Sequence, residues 1–596
     1  MFVKISKING IEYVKIARSV RDKETKKVKQ VIVKRLGKLE DLLKEDPNYI
    51  QNLKKYYSEL SKQESQRKIE LAKFGEIFMN FIEEDSDEIN YTELTRVKRF
   101  DELENENLFD IEKIKEQFSN SSIEFEFFNY GNLVYKIIYE KLKLDKLMNS
   151  IKSTTQIKYD FNNIVQNLTY MRILNPCSKL RTYNEYENHF LQNDDTLKSH
   201  YRSLEILGKK RLDIIKHINN VLNKITNRKI NRAFYDVTTV YFESFTADDL
   251  RLHGFSKDQK VNEVQVVLGL MTDANGLPIS YKLFPGNTSD FKTFVPFIQE
   301  VKENLGIEDI TIVADRGLNS GPNLLEIINS GYKFIMAQKI GDAKNKVNGI
   351  LDLETYEKMG EEFFMKDEKM VKFVPDNDKI KQEIPGKLVL TYSEKRAKKD
   401  RYDRERLVEK AKKLIKNSQS IARSELQKGG KKYLDYDVNK ITLKEQKIED
   451  DAKWDGFYGI FTNNFEMTNE EVLYTYRKLW QIEESFRILK TTFEVRPIYL
   501  WKKESIEGHF ALCYLALAIH RLLEFSLESV IHPFKFTTDN IVRALRKLWL
   551  VAFKDANSSN KYFLRLKEPI IYKCLRQVLG IKRIPKWGNT KELKLW

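Results

Sequence analysis

The stretch from Asn231 to Ala337 does most to narrow what this chain can become. Asn231–Ser244 contains Ala-Phe-Tyr-Asp-Val-Thr-Thr-Val-Tyr-Phe, an aromatic and β-branched run that suits a strand. Val264–Met271 reads as a second strand. Asp273-Ala274-Asn275-Gly276 is a turn into a third, Pro278–Phe284. The three consecutive strands are expected to pair antiparallel. A helix is expected from about Phe291 to Leu305, capped by Ser289 or Asp290. Asp309–Ala314 is an apolar strand that stops at Asp315. Asn323–Asn329 is helical in pattern, and Lys333–Ala337 is another short strand.

Far downstream, Asp455–Thr462 is strand-like and a long helix is expected from about Asn469 to Thr492. Three antiparallel strands, a helix, a strand ending in Asp and a later helix carrying Glu follow the order of an RNase H-like fold. The expected class is therefore α/β: an RNase H-like catalytic core, residues 229–340 and 455–520, interrupted by a basic insertion at 341–454. Residues 1–40 read as a basic β meander turning at Asn9-Gly10. Residues 41–122 read as a helical segment, starting at Asp46-Pro47, and an acidic linker, Glu83–Glu88. Residues 123–228 read as a helical domain, a candidate for DNA binding because Arg172, Lys179 and Arg181 cluster around Pro176. Residues 521–596 read as a C-terminal helical region.

Charge points to a polyanionic partner. The 596 residues carry a formal net charge of +16, and each phosphate neutralised on DNA releases condensed counterions. Half of that excess, +8, sits in residues 391–440, opening with Lys395-Arg396-Ala397-Lys398-Lys399. This segment is expected to grip DNA beside the core, or else to be a solvated, partly helical surface. The three cysteines, Cys177, Cys513 and Cys574, form no CxxC pair, and no two histidines share an HxxxH spacing. Any metal must then rely on oxygen ligands, which suits magnesium or manganese better than zinc. The most apolar run, Phe510–Ile519, is too short to span a bilayer, so a buried helix and no membrane are expected. Sparse cysteine fits a reducing cytoplasm.

Asp236, Asp315 and Glu483 are the candidate catalytic and metal-binding residues. Two cations can serve both the attacking and the leaving oxygen of an in-line displacement at phosphorus, and carboxylates supply their hard ligands. In a continuous helix Tyr476, Glu483 and Lys490, spaced seven apart, share one face, with Trp480 and Arg487 on the same stripe. Leu479, Ile482, Phe486 and Leu489 form the adjoining apolar stripe. Glu484 is turned by about 100° from Glu483 and points elsewhere.

The run Tyr476-Arg477-Lys478-Leu479-Trp480-Gln481-Ile482-Glu483, with Phe486-Arg487 and Lys490, resembles the YREK signature. That signature marks DDE transposases of bacterial insertion sequences, in the insertion-sequence-four superfamily. Tyr235-Asp236-Val237-Thr238-Thr239 and Val313-Ala314-Asp315-Arg316-Gly317 resemble the blocks around that family's two aspartates. Gly276-Leu277-Pro278 and Phe284-Pro285-Gly286-Asn287 match its strand-turn text. The likeness covers about 230–340 and 455–520. One position departs: Leu479 stands where the family commonly has Arg, so either Arg477 or Lys478 supplies that charge or the contact is lost.

The resemblance implies a transposase that binds the terminal inverted repeats of an element. It cleaves double-stranded DNA with two Mg2+ or Mn2+ ions and transfers 3′-hydroxyl ends to target DNA, acting as a homodimer in the synaptic complex. It implies that Tyr476 and Lys490 contact phosphates, and Arg477 and Arg487 are further candidates for DNA contact. An RNase H-like nuclease without strand transfer and a non-catalytic DNA-binding protein are the alternatives.

Overall fold

The computed structural model describes residues 2–8, 10–21, 28–45, 48–58, 123–254, 263–343, 349–375, 381–416, 432–437, 440–496, 498–528, 536–555, 561–566, 568–585, 587–590 and 593. The chain divides into two compact units. One comprises Met1–Asn120, Ser526–Thr537 and Arg565–Trp596; the other comprises Ser121–Phe525 and Thr538–Leu564.

In the first unit β1 (Phe2–Ile8), β2 (Ile11–Arg21) and β3 (Val28–Lys38) form the expected antiparallel meander, followed by the short helix α1 (Leu39–Glu45). Gly10 turns β1 into β2 with φ +82°, a conformation open to glycine at little cost. The predicted helix start at Asp46-Pro47 and the acidic linker at Glu83–Glu88 lie outside the described residues.

The second unit begins with β4 (Ile123–Asn129) and six helices: α2 (Asn132–Lys141), α3 (Leu144–Ser153), α4 (Phe161–Leu174), α5 (Lys179–Asn184), α6 (Leu197–Lys209) and α7 (Arg211–Ile225). Their centre is apolar: Ile138, Phe161, Ile164, Leu168 and Ile218 are fully or almost fully buried. Arg172 and Lys179 are buried here too, which corrects their expected place among DNA-contacting residues. Arg172 donates to the carbonyls of Phe493, Glu494 and Cys177, and Lys179 meets His509. Both hold backbone and neighbouring side chains together inside the unit.

The core is a nine-stranded mixed sheet. Its strands are β5 (Arg232–Tyr241), β6 (Gln265–Asp273), β7 (Pro278–Pro285), β8 (Thr311–Ala314), β9 (Lys333–Gln338), β10 (Glu357–Lys358), β11 (Phe363–Pro375) and β12 (Lys381–Ser393). After a separate hairpin of β13 (Leu434–Asp437) and β14 (Lys440–Leu443) comes the ninth, β15 (Phe457–Thr462). Their spatial order is β10-β11-β12-β15-β9-β8-β5-β6-β7. β5, β6 and β7 are an antiparallel meander, β8 and β9 run parallel to β5, and β15 returns antiparallel to β9. Every residue of β6 is buried, as expected of a strand covered on both faces. Ala233, Tyr235 and Val237 pack with Phe294, Phe297 and Ile298 of helix α8 (Asp290–Leu305), and helix α9 (Gly321–Asn329) adds Leu324 and Ile327 to the same core.

The expected insertion at 341–454 contributes to this sheet. β11 and β12 pair along thirteen residues, and β12 pairs with β15, so the hairpin widens the core sheet. Much of the segment's positive charge lies just after it, on α10 (Glu394–Lys416).

Two expectations need revision nearer the C-terminus. The helix predicted over 469–492 is broken into α11 (Asn469–Arg477), α12 (Trp480–Arg487) and a π turn, Ile488–Thr492. Residues 521–596 are not uniformly helical. After α13 (Lys503–Glu528) and α14 (Thr538–Arg546), β16 (Trp549–Asp555) pairs antiparallel with β4. α13 is long and apolar enough to cross a membrane by length and composition, but 78% of its most apolar window is buried inside the protein. The run Phe510–Ile519 is thus a core helix.

Candidate active site

Strand alternation presents Asp236. Tyr235 is wholly buried and donates its hydroxyl to Thr293 Oγ1 at 2.9 Å, on the α8 side. Gly269 on β6 leaves room for that hydroxyl, since a Cβ there would lie 2.8 Å from it. The next residue, Asp236, turns to the opposite face and stays half-buried.

Asp315 follows directly from the parallel pairing. Tyr235 is the register partner of Ala314, so Asp236 and Asp315 are the next step on two neighbouring strands. Adjacent strands lie about 4.8 Å apart. β8 ends at Ala314, and Asp315 starts a 3-10 turn over Arg316–Leu318 with its side chain exposed. Glu483 is exposed on α12, a helix that packs against β5 and β6. Among the described residues no ion pair reaches Asp315 or Glu483. Also among them, no three His, Cys, Asp or Glu side chains are gathered closely enough to hold a metal ion between them. The fold thus makes the two aspartates neighbours and lays the helix of Glu483 on the strand of Asp236, without closing the three into a cage. The donor set still fits a hard divalent cation: every candidate ligand is a carboxylate, and all are at least partly open to solvent.

The break in the helix changes the predicted face. Lys478 and Leu479 bond to Thr475 and Tyr476, and Gln481 and Ile482 to Lys478 and Leu479, all three residues back. Such bonds wind the chain at about three residues per turn, so Tyr476 and Glu483 do not share the single stripe expected of an unbroken helix. Tyr476 turns towards Asp315, donating its hydroxyl to Oδ1 at 3.4 Å and accepting the Tyr458 hydroxyl at 2.8 Å. Burial, followed by Tyr458 and Asp315, pushes the Tyr476 hydroxyl far above its usual range, so it stays a proton donor.

The four residues expected to contact DNA fall into different settings. Arg477 is exposed, with its guanidinium 5.4 Å from the centre of the Phe363 ring. Arg487 donates to Glu484 at 2.7 and 2.8 Å and to Asp539 of α14 at 3.1 Å. Hydrogen bonding to Glu484 raises its pKa further. Arg487 therefore ties α12 to α14 and occupies Glu484. Lys490 is half-buried in the π turn. Trp480 is exposed and Leu479 is buried in the core.

A cleft of about 1070 Å³ opens beside Asp315. Its walls include Lys339, Arg396 and Arg404, with Tyr433, Asp455 and Tyr458. Arg404 bonds to Asp455 and so fastens α10 to the start of β15. Tyr458 was not singled out by sequence reasoning, and Arg396 was read only as one cation of its basic run. Their signal was weak, an aromatic in an ordinary strand and one cation among many.

Two family comparisons bear on this geometry. The family described as "Transposase DDE domain" matches residues 227–519, which span β5 to α13 and contain all three acids. The family described as "IS1634 family transposase, N-terminal domain" matches residues 3–71. No protein of curated function matches the chain. Transposase DDE domains act on DNA, cleave it, and generally use divalent metal ions. With both its N-terminal part and its acid-bearing core matched, the chain belongs to the DDE transposases of bacterial insertion sequences.

Proposed function

We propose that this transposase cleaves the ends of its element by metal-assisted hydrolysis and joins the freed 3′-hydroxyls to target DNA, with Asp236, Asp315 and Glu483 as metal ligands. The pairing of Tyr235 with Ala314, which makes Asp236 and Asp315 the next residues on two neighbouring strand paths, carries the proposal. Strand order supports an RNase H-like core, because β7-β6-β5-β8-β9 is an antiparallel meander followed by two strands parallel to its first.

A pair of Mg2+ or Mn2+ ions, when bound, supplies the activation of the attacking oxygen and the stabilisation of the leaving one. The chain's residues do the rest. Asp236 presents its oxygens from within β5, and Asp315 presents them from the turn that directly follows β8. Glu483 reaches in from a helix whose irregular joints at 478–479 and 488–492 let it adjust. Carboxylates brought together repel each other, so the three acids need a cation between them to act jointly. Exposed cations on α10 and Arg477 hold phosphates and position the duplex. Two ends must be brought together, so the working form is at least a homodimer.

Asp236→Ala tests the assignment. It should abolish nicking and joining of DNA carrying the element's ends, with end binding by gel shift nearly unchanged. Wild-type cleavage by that variant would refute it. Cleavage by the wild type without joining of pre-cleaved ends would replace the transfer step with simple nuclease action.

A further inference from the structure

One hydroxyl chain runs into the proposed site. Tyr458 Oη lies 2.8 Å from Tyr476 Oη, which lies 3.4 Å from Asp315 Oδ1. An ionised carboxylate only accepts, and each tyrosine has one proton to give. A single arrangement satisfies both contacts: Tyr476 donates to Asp315, and Tyr458 donates to Tyr476. Tyr458 thereby occupies the acceptor side of the Tyr476 oxygen and obliges its proton to point outward, at the site.

Tyr458 is well placed to impose this. It lies on β15, paired with Thr391 of β12. The Arg396 guanidinium sits 4.4 Å from its ring centre. Arg396 Nε is 3.4 Å from Asp400, and Asp400 accepts the Gly456 N–H at 3.1 Å, two residues before Tyr458. The ring is thus held from the sheet and from α10. The bonds are unequal: 2.8 Å is an ordinary hydroxyl distance and 3.4 Å a stretched one. The Asp315 end is therefore the one that lets go.

We infer that Tyr458 is a positioning residue that sets the Tyr476 hydroxyl as a donor, resting on Asp315 until a cation takes that carboxylate and then turned to a DNA phosphate. The inference rests on the reading of Asp315 as a metal ligand. It makes a split prediction, because the same hydrogen bond competes with metal before DNA binds and helps hold DNA afterwards. Removing Tyr458's hydroxyl should ease metal binding while slowing cleavage. A residue that merely packs would weaken both.

The test uses the full chain. Mn2+ affinity is measured without DNA by electron paramagnetic resonance, and cleavage is measured separately on end DNA. Tyr458→Phe should bind Mn2+ about threefold more tightly and cleave about tenfold more slowly, the range of one ordinary hydrogen bond. Tyr476→Phe should shift both in the same directions, and the double variant should match Tyr476→Phe alone, since the two act as a unit. Unchanged Mn2+ affinity in Tyr458→Phe, a parallel loss of affinity and rate, or simple additivity of the two substitutions would overturn the inference. Asp315→Asn separates the two levels. If it leaves Mn2+ affinity intact, the metal-ligand reading fails and takes the inference with it. If it abolishes binding while Tyr458→Phe changes nothing, the inference alone fails.

Discussion

At the scale of single residues, the neighbours Glu483 and Glu484 meet different surroundings. Glu484 accepts both available nitrogens of Arg487, whose remaining arm reaches Asp539. Glu483 is exposed on the helix that lies against β5. The two isosteric changes should therefore diverge. Glu483→Gln should lower end cleavage by at least about a hundredfold, the scale expected when a group essential to transition-state charge is neutralised. Glu484→Gln should retain most activity. It breaks a partly exposed ion pair, which should reduce stability by about 1 kcal/mol or less. Parallel cleavage assays and urea denaturation of the two variants check this. Equal loss of cleavage in both would remove the distinction. Asp236 stands out in the sequence because a carboxylate inside an aromatic, β-branched strand is out of character there. The role of Glu484 was legible only as an angle on a helix; its partner Arg487 had been expected at DNA.

At the scale of elements, the strands were legible and the joints were not. β5, β6, β7, β8 and β9 fall within a few residues of their predicted spans, because aromatic and β-branched runs bounded by turn residues leave little freedom. The break between α11 and α12 carries no Gly or Pro; Lys478 and Leu479 are ordinary helix formers, so composition could not reveal it. β11 and β12 hide in a segment read by its charge, and β16 finds its partner β4 more than 400 residues away, beyond any local pattern. Close helix contacts were equally hidden. A Cβ on Gly508 of α13 would lie 1.8 Å from the Leu204 carbonyl oxygen of α6, and one on Gly208 would lie 2.5 Å from the Glu504 carbonyl. Both obstacles are backbone, which cannot step aside as a side chain can. Gly508→Ala should therefore destabilise this unit by about 3 kcal/mol, the upper end for forced overpacking. A fall in the urea midpoint checks it, and an unchanged midpoint would mean that the two helices separate freely.

For the molecule as a whole, charge and acid placement describe one device. The excess positive charge of +16 gives long-range attraction to DNA, and a strongly basic helix, α10, adjoins the cleft beside Asp315. The three acids are drawn from segments separated by 79 and 168 residues, and only the sheet and its packed helix bring those segments near each other. Their joint action is the claim on which the rest depends. It can be tested by replacing Mg2+ with Fe2+ in the complex with end DNA and adding ascorbate and peroxide, so that the chain is cut by radicals only beside the bound iron. The account predicts cuts near residues 236, 315 and 483 together, all suppressed by excess Mg2+. Cuts that omit any one of the three segments, or that persist undiminished in Mg2+, would contradict it.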